Sequence, residues 1–213
     1  MNLKEAYSVL VKDKSRNFLI DKNGSIYEDC ASYFKKHNLD CEPELHVYPG
    51  SFNPLHDGHR GIYESMKEVA CPSIHDSYNH VIVAFEISIG RVGKDFLSFE
   101  ELSTRVSQFS NYAPVFITNA PRFIEKCSLF SKHANVYWHV GVDTISRMKD
   151  DYTEMGIGGL RGTFVVYDRD IDDNIEKWPL NFTYVPSNVY RAKIQHQPFG
   201  ISSTKIRKAM GIK

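Results

Sequence analysis

A short apolar segment, a glycine-containing loop and a helix-like pattern follow one another directly and limit the fold of this chain most strongly. Residues 45–48 are apolar and bounded by Pro43, which is typical of a buried strand. Residues 61–70 carry apolar side chains at helical spacing. The sequence GSFNPLHDGH between them therefore predicts a loop that leads from a strand into a helix.

This loop has the features of a phosphate-binding turn. A small residue such as Gly50 lets the backbone approach a ligand closely, and the N–H groups at the start of a helix can face a phosphate. His56 and His59 are three residues apart, so in the first helical turn they share one face and can donate hydrogen bonds to phosphoryl oxygens. A core histidine or a plain surface turn is the alternative for either residue taken singly.

The rest of the chain alternates between strand-like and helix-like patterns. Apolar runs at 80–87, 114–117, 136–140, 163–167 and 182–185 predict further strands, with helices between most of them. This alternation predicts an α/β fold with a Rossmann-like parallel sheet and helices on both faces. Ligands of such sheets bind beyond the carboxyl ends of the strands, so the loops after Tyr48, Ile87 and Val140 are candidate site loops.

Two further segments could converge on the same polyphosphate. Gly141 and Asp143 follow a predicted strand, where the carboxylate could bind a ribose hydroxyl, orient a substrate or simply cap a helix. Near the other end of the chain, hydroxyl side chains precede a last predicted helix, and an arginine follows them on the same helical face. These residues are Ser202, Ser203, Thr204 and Arg207. An ordinary capped helix is the alternative for this segment.

Composition excludes several classes of function. The formal net charge is +0, which argues against a broad nucleic-acid-binding surface. The sequence has no apolar run of membrane-spanning length and no secretory signal pattern at residues 1–5. The four cysteines are widely spaced and form no C-x-x-C pair, so we expect reduced thiols, a cytoplasmic protein and no metal-binding set of side chains.

Both phosphate-site segments resemble signatures of the nucleotidylyltransferase superfamily. Residues 50–59 match G-x-F-(N/D)-P-x-H-x-G-H, and residues 201–207 match I-S-S-T-x-I-R, in the order and spacing of the family. The Asn53-Pro54 pair is most similar to nicotinate or nicotinamide mononucleotide adenylyltransferases, and residues 141–145 are similar to their G-A-D-x-L segment. Residues 85–121 also resemble uncharacterised eukaryotic-type members. The resemblance covers about residues 45–210.

The resemblance implies a reaction in which a mononucleotide phosphate attacks the α-phosphorus of ATP and pyrophosphate leaves. By that likeness Gly50, Ser51, Phe52 and Asn53 hold the nucleotides, and His56 and His59 contact the phosphates of ATP. Gly141 and Asp143 serve the ribose or mononucleotide, and the segment Ser202, Ser203, Thr204 and Arg207 binds the leaving β- and γ-phosphates. Mg²⁺ accompanies ATP and completes the neutralisation of charge. The implied partners are ATP and a small phosphorylated acceptor.

The acceptor is less well determined by the sequence than the nucleotide. Lys94 resembles a loop lysine that reaches a substrate phosphate in this family, although a solvated loop lysine explains it equally. Relatives that use pyridine nucleotides carry a Trp shortly after the G-x-D segment, whereas this chain has Tyr152 there, which could stack on a base or belong to the core or a loop. Another phospho-acceptor, CTP in place of ATP, and a non-catalytic nucleotide-binding module all stay open.

Residues 1–44 differ in pattern from the rest of the chain. They predict a helix, a hairpin around Asn23-Gly24 and a second helix, which is too little for a convincing independent domain. We therefore divide the chain into an N-terminal extension of unknown role, residues 1–44, and a nucleotidylyltransferase domain, residues 45–213. The extension is expected to pack on that domain or on a second subunit, so a homo-oligomer is one outcome.

Overall fold

The computed structural model describes residues 1–37, 44–70, 81–132, 134–151, 160–167, 169–171, 174–176, 189–191 and 203–210. Its helices are α1 (Leu3–Lys12), α2 (Cys30–Lys36), α3 (Asp57–Ala70), α4 (Phe99–Ser107), α5 (Phe123–Phe130), α6 (Val142–Asp151) and α7 (Ser203–Ala209). Its first five strands are β1 (Asn17–Ile20), β2 (Ile26–Tyr27), β3 (Glu44–Pro49), β4 (Val81–Ser88) and β5 (Val115–Thr118). The others are β6 (Asn135–Gly141), β7 (Thr163–Tyr167), β8 (Arg169–Ile171), β9 (Asn174–Glu176) and β10 (Val189–Arg191).

Eight of the strands form one sheet, in the order β10-β7-β6-β3-β4-β5-β1-β2. The six strands from β10 to β5 are parallel to their neighbours, and β1 and β2 continue the sheet in antiparallel pairing. The strands that follow β3 in the chain are added first on one side of it, as β4 and β5, and then on the other side, as β6 and β7. The direction of strand addition therefore changes at β3. This arrangement confirms the predicted α/β fold with a Rossmann-like parallel sheet.

Helices cover both faces of the sheet because successive strand residues point to opposite sides. On one face Leu45, Val47 and Trp138 pack in a core that includes residues of α2, α5 and α6. On the other face Phe85 and Ile87 pack in a core that includes residues of α1, α3 and α4. The near-continuous burial of β4 and β5 follows from this double cover, as expected for parallel strands.

The N-terminal segment adds two strands to the sheet. The predicted hairpin is present, with Gly24 at a φ of 85° in its turn, a conformation that favours glycine. Residues 17–20 of β1 pair with residues 115–118 of β5, so the hairpin extends the main sheet directly. The Tyr7 hydroxyl donates to the Leu97 carbonyl at 2.7 Å and fastens α1 to the loop before α4.

Sequence and structure differ mainly near the end of the chain. The strand predicted at 182–185 lies outside the described residues. The short strands β8, β9 and β10 were not predicted, because three-residue strands give too few positions to show an alternating pattern. Among the helices that the structure describes, none has the length and apolar character that a membrane crossing requires.

Candidate active site

The two histidines lie where β3 passes into α3. The helix begins at Asp57, and the His56 carbonyl accepts hydrogen bonds from the backbone N–H groups of His59 (2.9 Å) and Arg60 (3.1 Å). The imidazole rings are stacked, with centroids 3.6 Å apart and planes at 23°. The backbone N–H of His56 donates to Nδ1 of His59 at 3.3 Å. Since Nδ1 accepts, the proton of a neutral His59 ring sits on Nε2, which is the donor form that a phosphoryl oxygen requires.

Phe52 anchors the loop in the core. Its backbone has a φ of 43°, which is strained for a non-glycine residue, and its side chain is fully buried. The ring packs edge-on against Phe85, Phe109 and His59, with centroid distances of 5.0–5.4 Å. A Cβ added at Gly50 would lie only 2.6 Å from Cζ of Phe52, so glycine is required for this close approach.

Side chains from α4 and its C-terminal end hold the backbone of the loop. Arg105 donates from Nη1 to the Ser51 carbonyl at 3.0 Å. Gln108 donates from Nε2 to the Phe52 carbonyl at 2.9 Å and accepts from the Leu55 N–H through Oε1 at 2.8 Å. These supports were not predicted from the sequence, since the bonds join residues 53 to 56 apart in the chain and no local pattern contains such pairs.

The last helix reaches the same loop. Arg207, on α7, donates from Nη1 to the Asn53 carbonyl. The structure thus brings the first and third predicted segments together at residues 50–59 and 203–210. Ser203 and Thr204 begin α7, whereas Ser202 lies outside the described residues.

The environment of this loop is cationic. Arg105 is buried, and burial lowers the pKa of its guanidinium, an effect that Glu101 opposes and that the charges of Arg91 and Arg207 increase. Glu101 lies 3.7 Å from Arg105 and 4.0 Å from Arg91, so one carboxylate faces two guanidinium groups. An excess of positive charge beside two histidines favours a polyphosphate ligand.

The second predicted segment lies at the carboxyl end of β6. Gly141 ends that strand and α6 begins at Val142, so Asp143 is inside the first turn and does not precede the helix as an N-cap residue would. A Cβ added at Gly141 would lie 2.5 Å from Oδ1 of Asp143, so the carboxylate folds back over the strand end. Asp143 is partly exposed at this edge of the sheet.

The sequence offered Lys94 and Tyr152 as candidate contacts for the substrate, and the structure describes the first of them. Lys94 is exposed on the loop after β4, at the carboxyl edge, where its backbone N–H donates to the Arg91 carbonyl at 3.4 Å. Tyr152 falls outside the described residues. Within the described ranges, no group of three or more His, Cys, Asp or Glu side chains is placed to hold a metal ion.

Comparisons with family models and with solved structures each found a match. A model of the cytidylyltransferase-like family matches residues 47–209, which include the histidine loop and all of α7. A solved structure titled Plasmodium falciparum nicotinic acid mononucleotide adenylyltransferase complexed with APC superposes with a TM-score of 0.50 at 16% sequence identity. The alignment covers 78% of this chain and 83% of that one. A sequence comparison with curated proteins gave no match.

Proposed function

Because this chain belongs to the cytidylyltransferase-like family, we propose that it transfers the adenylyl group of ATP to nicotinate or nicotinamide mononucleotide. Nucleotidyl transfer follows from the family, whereas the nucleotide and the acceptor are our inference. The observation that carries it is the histidine loop, in which stacked His56 and His59 lie beside a backbone held by Arg105, Gln108 and Arg207.

In the proposed reaction, a phosphate oxygen of the mononucleotide attacks the α-phosphorus of ATP. The bond from the α-phosphorus to the bridging α,β-oxygen breaks, and pyrophosphate leaves with the bonding electrons. His59, with its proton on Nε2, donates to an α-phosphate oxygen on which charge increases, and His56 supports the neighbouring phosphates. Arg207, with Ser202, Ser203 and Thr204, binds the β- and γ-phosphates. Positioning and neutralisation of charge supply the catalysis, so no enzyme nucleophile is required.

Mg²⁺ would enter this site with the nucleotide. The loop offers imidazole and guanidinium groups, which suit phosphate oxygens and are poor ligands for a hard cation. Phosphate oxygens and water would therefore make most of the bonds to the ion, and Asp143, at the carboxyl edge of β6, would serve the ribose or the mononucleotide. When bound, Mg²⁺ supplies neutralisation of the triphosphate charge.

The choice of acceptor rests on two supports. The Asn53-Pro54 form of the loop resembles that of the pyridine-mononucleotide enzymes, and the superposed structure is titled as a nicotinic acid mononucleotide enzyme with APC. The family description, cytidylyltransferase-like, favours the second candidate, in which CTP or another phosphorylated acceptor is used. We also propose that the protein is cytoplasmic, which the four widely spaced cysteines of the sequence favour.

Release of pyrophosphate tests the proposal. Purified protein with Mg²⁺ and either ATP or CTP is assayed over a panel of acceptors: nicotinate mononucleotide, nicotinamide mononucleotide, flavin mononucleotide and phosphosugars. We expect turnover with ATP and a pyridine mononucleotide, and a loss of at least about 100-fold in kcat for His59→Ala, because the main donor to the transition state is removed. His37→Ala, at an exposed histidine after α2, is the matched control. Turnover with CTP alone, or with none of the acceptors, would reject the proposal.

A further inference from the structure

Four polar side chains form a continuous hydrogen-bond network inside the sheet. Nε2 of His46 lies 2.6 Å from Oε1 of Glu44, Nδ1 of His46 lies 2.9 Å from Nε2 of His139, and Nδ1 of His139 lies 2.7 Å from the Tyr167 hydroxyl. His46 is 1% exposed, and His139 and Tyr167 are 0% exposed, whereas the Glu44 side chain is 37% exposed. The network therefore connects the partly exposed carboxylate of Glu44 to the fully buried hydroxyl of Tyr167.

The network runs diagonally across β3, β6 and β7 toward the active-site edge. The strand register pairs His46 with Tyr137 and Gly141 with Tyr167. In this register each step, from Glu44 to His46, His139 and Tyr167, advances two residues toward the carboxyl ends of the strands. Because successive strand residues point to opposite faces, these side chains lie on the other face of the sheet from Leu45 and Val47. This is the face that α3 covers.

The carboxylate fixes the direction of every bond. Ionised Glu44 can only accept, so the proton of His46 sits on Nε2 and its Nδ1 accepts from Nε2–H of His139. Nδ1 of His139 is then an acceptor, and Tyr167 donates to it. Burial lowers the pKa of His46, although Glu44 opposes this effect, and burial with the charge of His46 lowers the pKa of His139 further. Burial raises the pKa of Tyr167. These directions favour the neutral form of each ring, as the pattern of bonds requires.

The network ends one side chain away from the histidine loop. Because Val47 pairs with Trp138, the residues that follow them, Tyr48 and His139, are neighbours on the same face of the sheet. Tyr48 also packs against the core that contains Tyr167. The Tyr48 ring packs edge-on against Phe52 and His59, with centroid distances of 5.5 Å and 5.9 Å. The Tyr48 ring therefore lies between the buried network and His59, the proposed donor to ATP.

We propose that Glu44, His46, His139 and Tyr167 are positioning residues that fix Tyr48 and, through it, the ring of His59. Buried polar groups that are fully satisfied specify one local arrangement, and partial satisfaction is costly, so the network resists displacement of the strand ends. The consequence for turnover rests on the proposed function. The proton positions and the environment of His59 do not, because they can be measured in the absence of any substrate.

Nitrogen NMR tests the network directly. The full-length protein, labelled with ¹⁵N-histidine, is examined at pH 7 by long-range ¹H–¹⁵N correlation, with assignments from His46→Gln, His59→Gln and His139→Gln. We expect both network histidines to be neutral with the proton on Nε2. We also expect Tyr167→Phe to shift the ring resonances of His59. Tyr63→Phe, which removes a buried hydroxyl whose hydrogen bond within the described residues is a 3.4 Å contact with the Val83 carbonyl, is the matched control and should leave them in place.

Kinetics supply the second measurement. For Tyr167→Phe we expect kcat to fall about three- to tenfold with the KM for ATP within about twofold, because His59 is displaced while the nucleotide-binding groups remain. Tyr63→Phe should change neither value. An Nδ1–H tautomer or an imidazolium at either network histidine would overturn the network. Unchanged His59 resonances in Tyr167→Phe would overturn the positioning role. If the wild-type protein turns over no acceptor, the proposed function fails and the His59 resonances alone decide this inference.

Discussion

At the scale of single residues, the histidine loop is held through its backbone carbonyls. Those of Ser51, Phe52 and Asn53 accept hydrogen bonds from three different side chains, which come from α4, its C-terminal end and α7. A positive φ at Phe52 persists only because the surrounding contacts determine the conformation. The loop is therefore prepared for a ligand before one binds, which lowers the ordering cost of binding.

Gln108→Glu tests this support with a change of one atom. The carboxylate keeps an acceptor for the Leu55 N–H, but it loses the donor to the Phe52 carbonyl and places a negative charge beside the proposed triphosphate site. We expect the KM for ATP to rise about tenfold or more and the free energy of unfolding to fall by about 1–3 kcal/mol. Initial rates and urea denaturation measure the two effects.

The control for this change is Ser107→Ala, at the exposed neighbouring position, whose hydroxyl bonds only the local Thr104 carbonyl among the contacts described. It should leave the KM within about twofold of wild type, since no contact with the loop is removed. A Gln108→Glu variant with the wild-type KM would show that the loop does not depend on this side chain for binding ATP.

At the scale of elements, local patterns predicted the units but not the contacts between them. The strand, loop and helix at residues 45–70 were predictable because apolar spacing and helix signals lie within a few residues of one another. The support of the loop by Gln108 joins residues 56 apart, and the bond between His46 and His139 joins residues 93 apart. Such pairs depend on the strand order and register, which no local pattern contains.

A buried ion pair joins β4 to α5. Nζ of Lys126 lies 2.7 Å and 2.8 Å from the two carboxylate oxygens of Glu86, and the Thr118 hydroxyl donates to the same carboxylate at 2.6 Å. Lys126→Met leaves the carboxylate buried with a single hydroxyl partner among these groups. We expect a loss of about 3–5 kcal/mol in the free energy of unfolding, measured by urea denaturation.

Two comparisons decide whether burial causes this loss. Lys67→Met removes the cation of an exposed pair with Glu64 on α3 and should cost no more than about 1 kcal/mol. Adding Glu86→Gln to Lys126→Met should restore part of the stability, because the unpaired charge is removed while an acceptor for Thr118 remains. Equal losses for the two lysine variants would contradict the explanation by burial.

At the scale of the whole molecule, the N-terminal segment shares the cores and the sheet of the remaining chain. Ala6 and Leu10 of α1 are fully buried in the same core as Phe52 and Phe85. The Asn119 side chain, just after β5, donates from Nδ2 to the Leu10 carbonyl at 2.8 Å. These contacts predict that residues 1–37 unfold together with the sheet, as expected where one core is continuous across segments.

Leu10→Ala tests this cooperativity in a Trp178→Phe background, where Trp138 of β6 is the single tryptophan. The substitution leaves a cavity beneath α1 and should lower the free energy of unfolding by about 2–5 kcal/mol. Because the segment and the sheet unfold as one unit, the Trp138 fluorescence and the backbone circular dichroism should shift to lower urea by the same amount. Val11→Ala, at the neighbouring exposed position, should shift neither probe. A circular dichroism transition that moves while that of Trp138 stays in place would mean that the N-terminal segment is a separate folding unit that merely rests on the sheet.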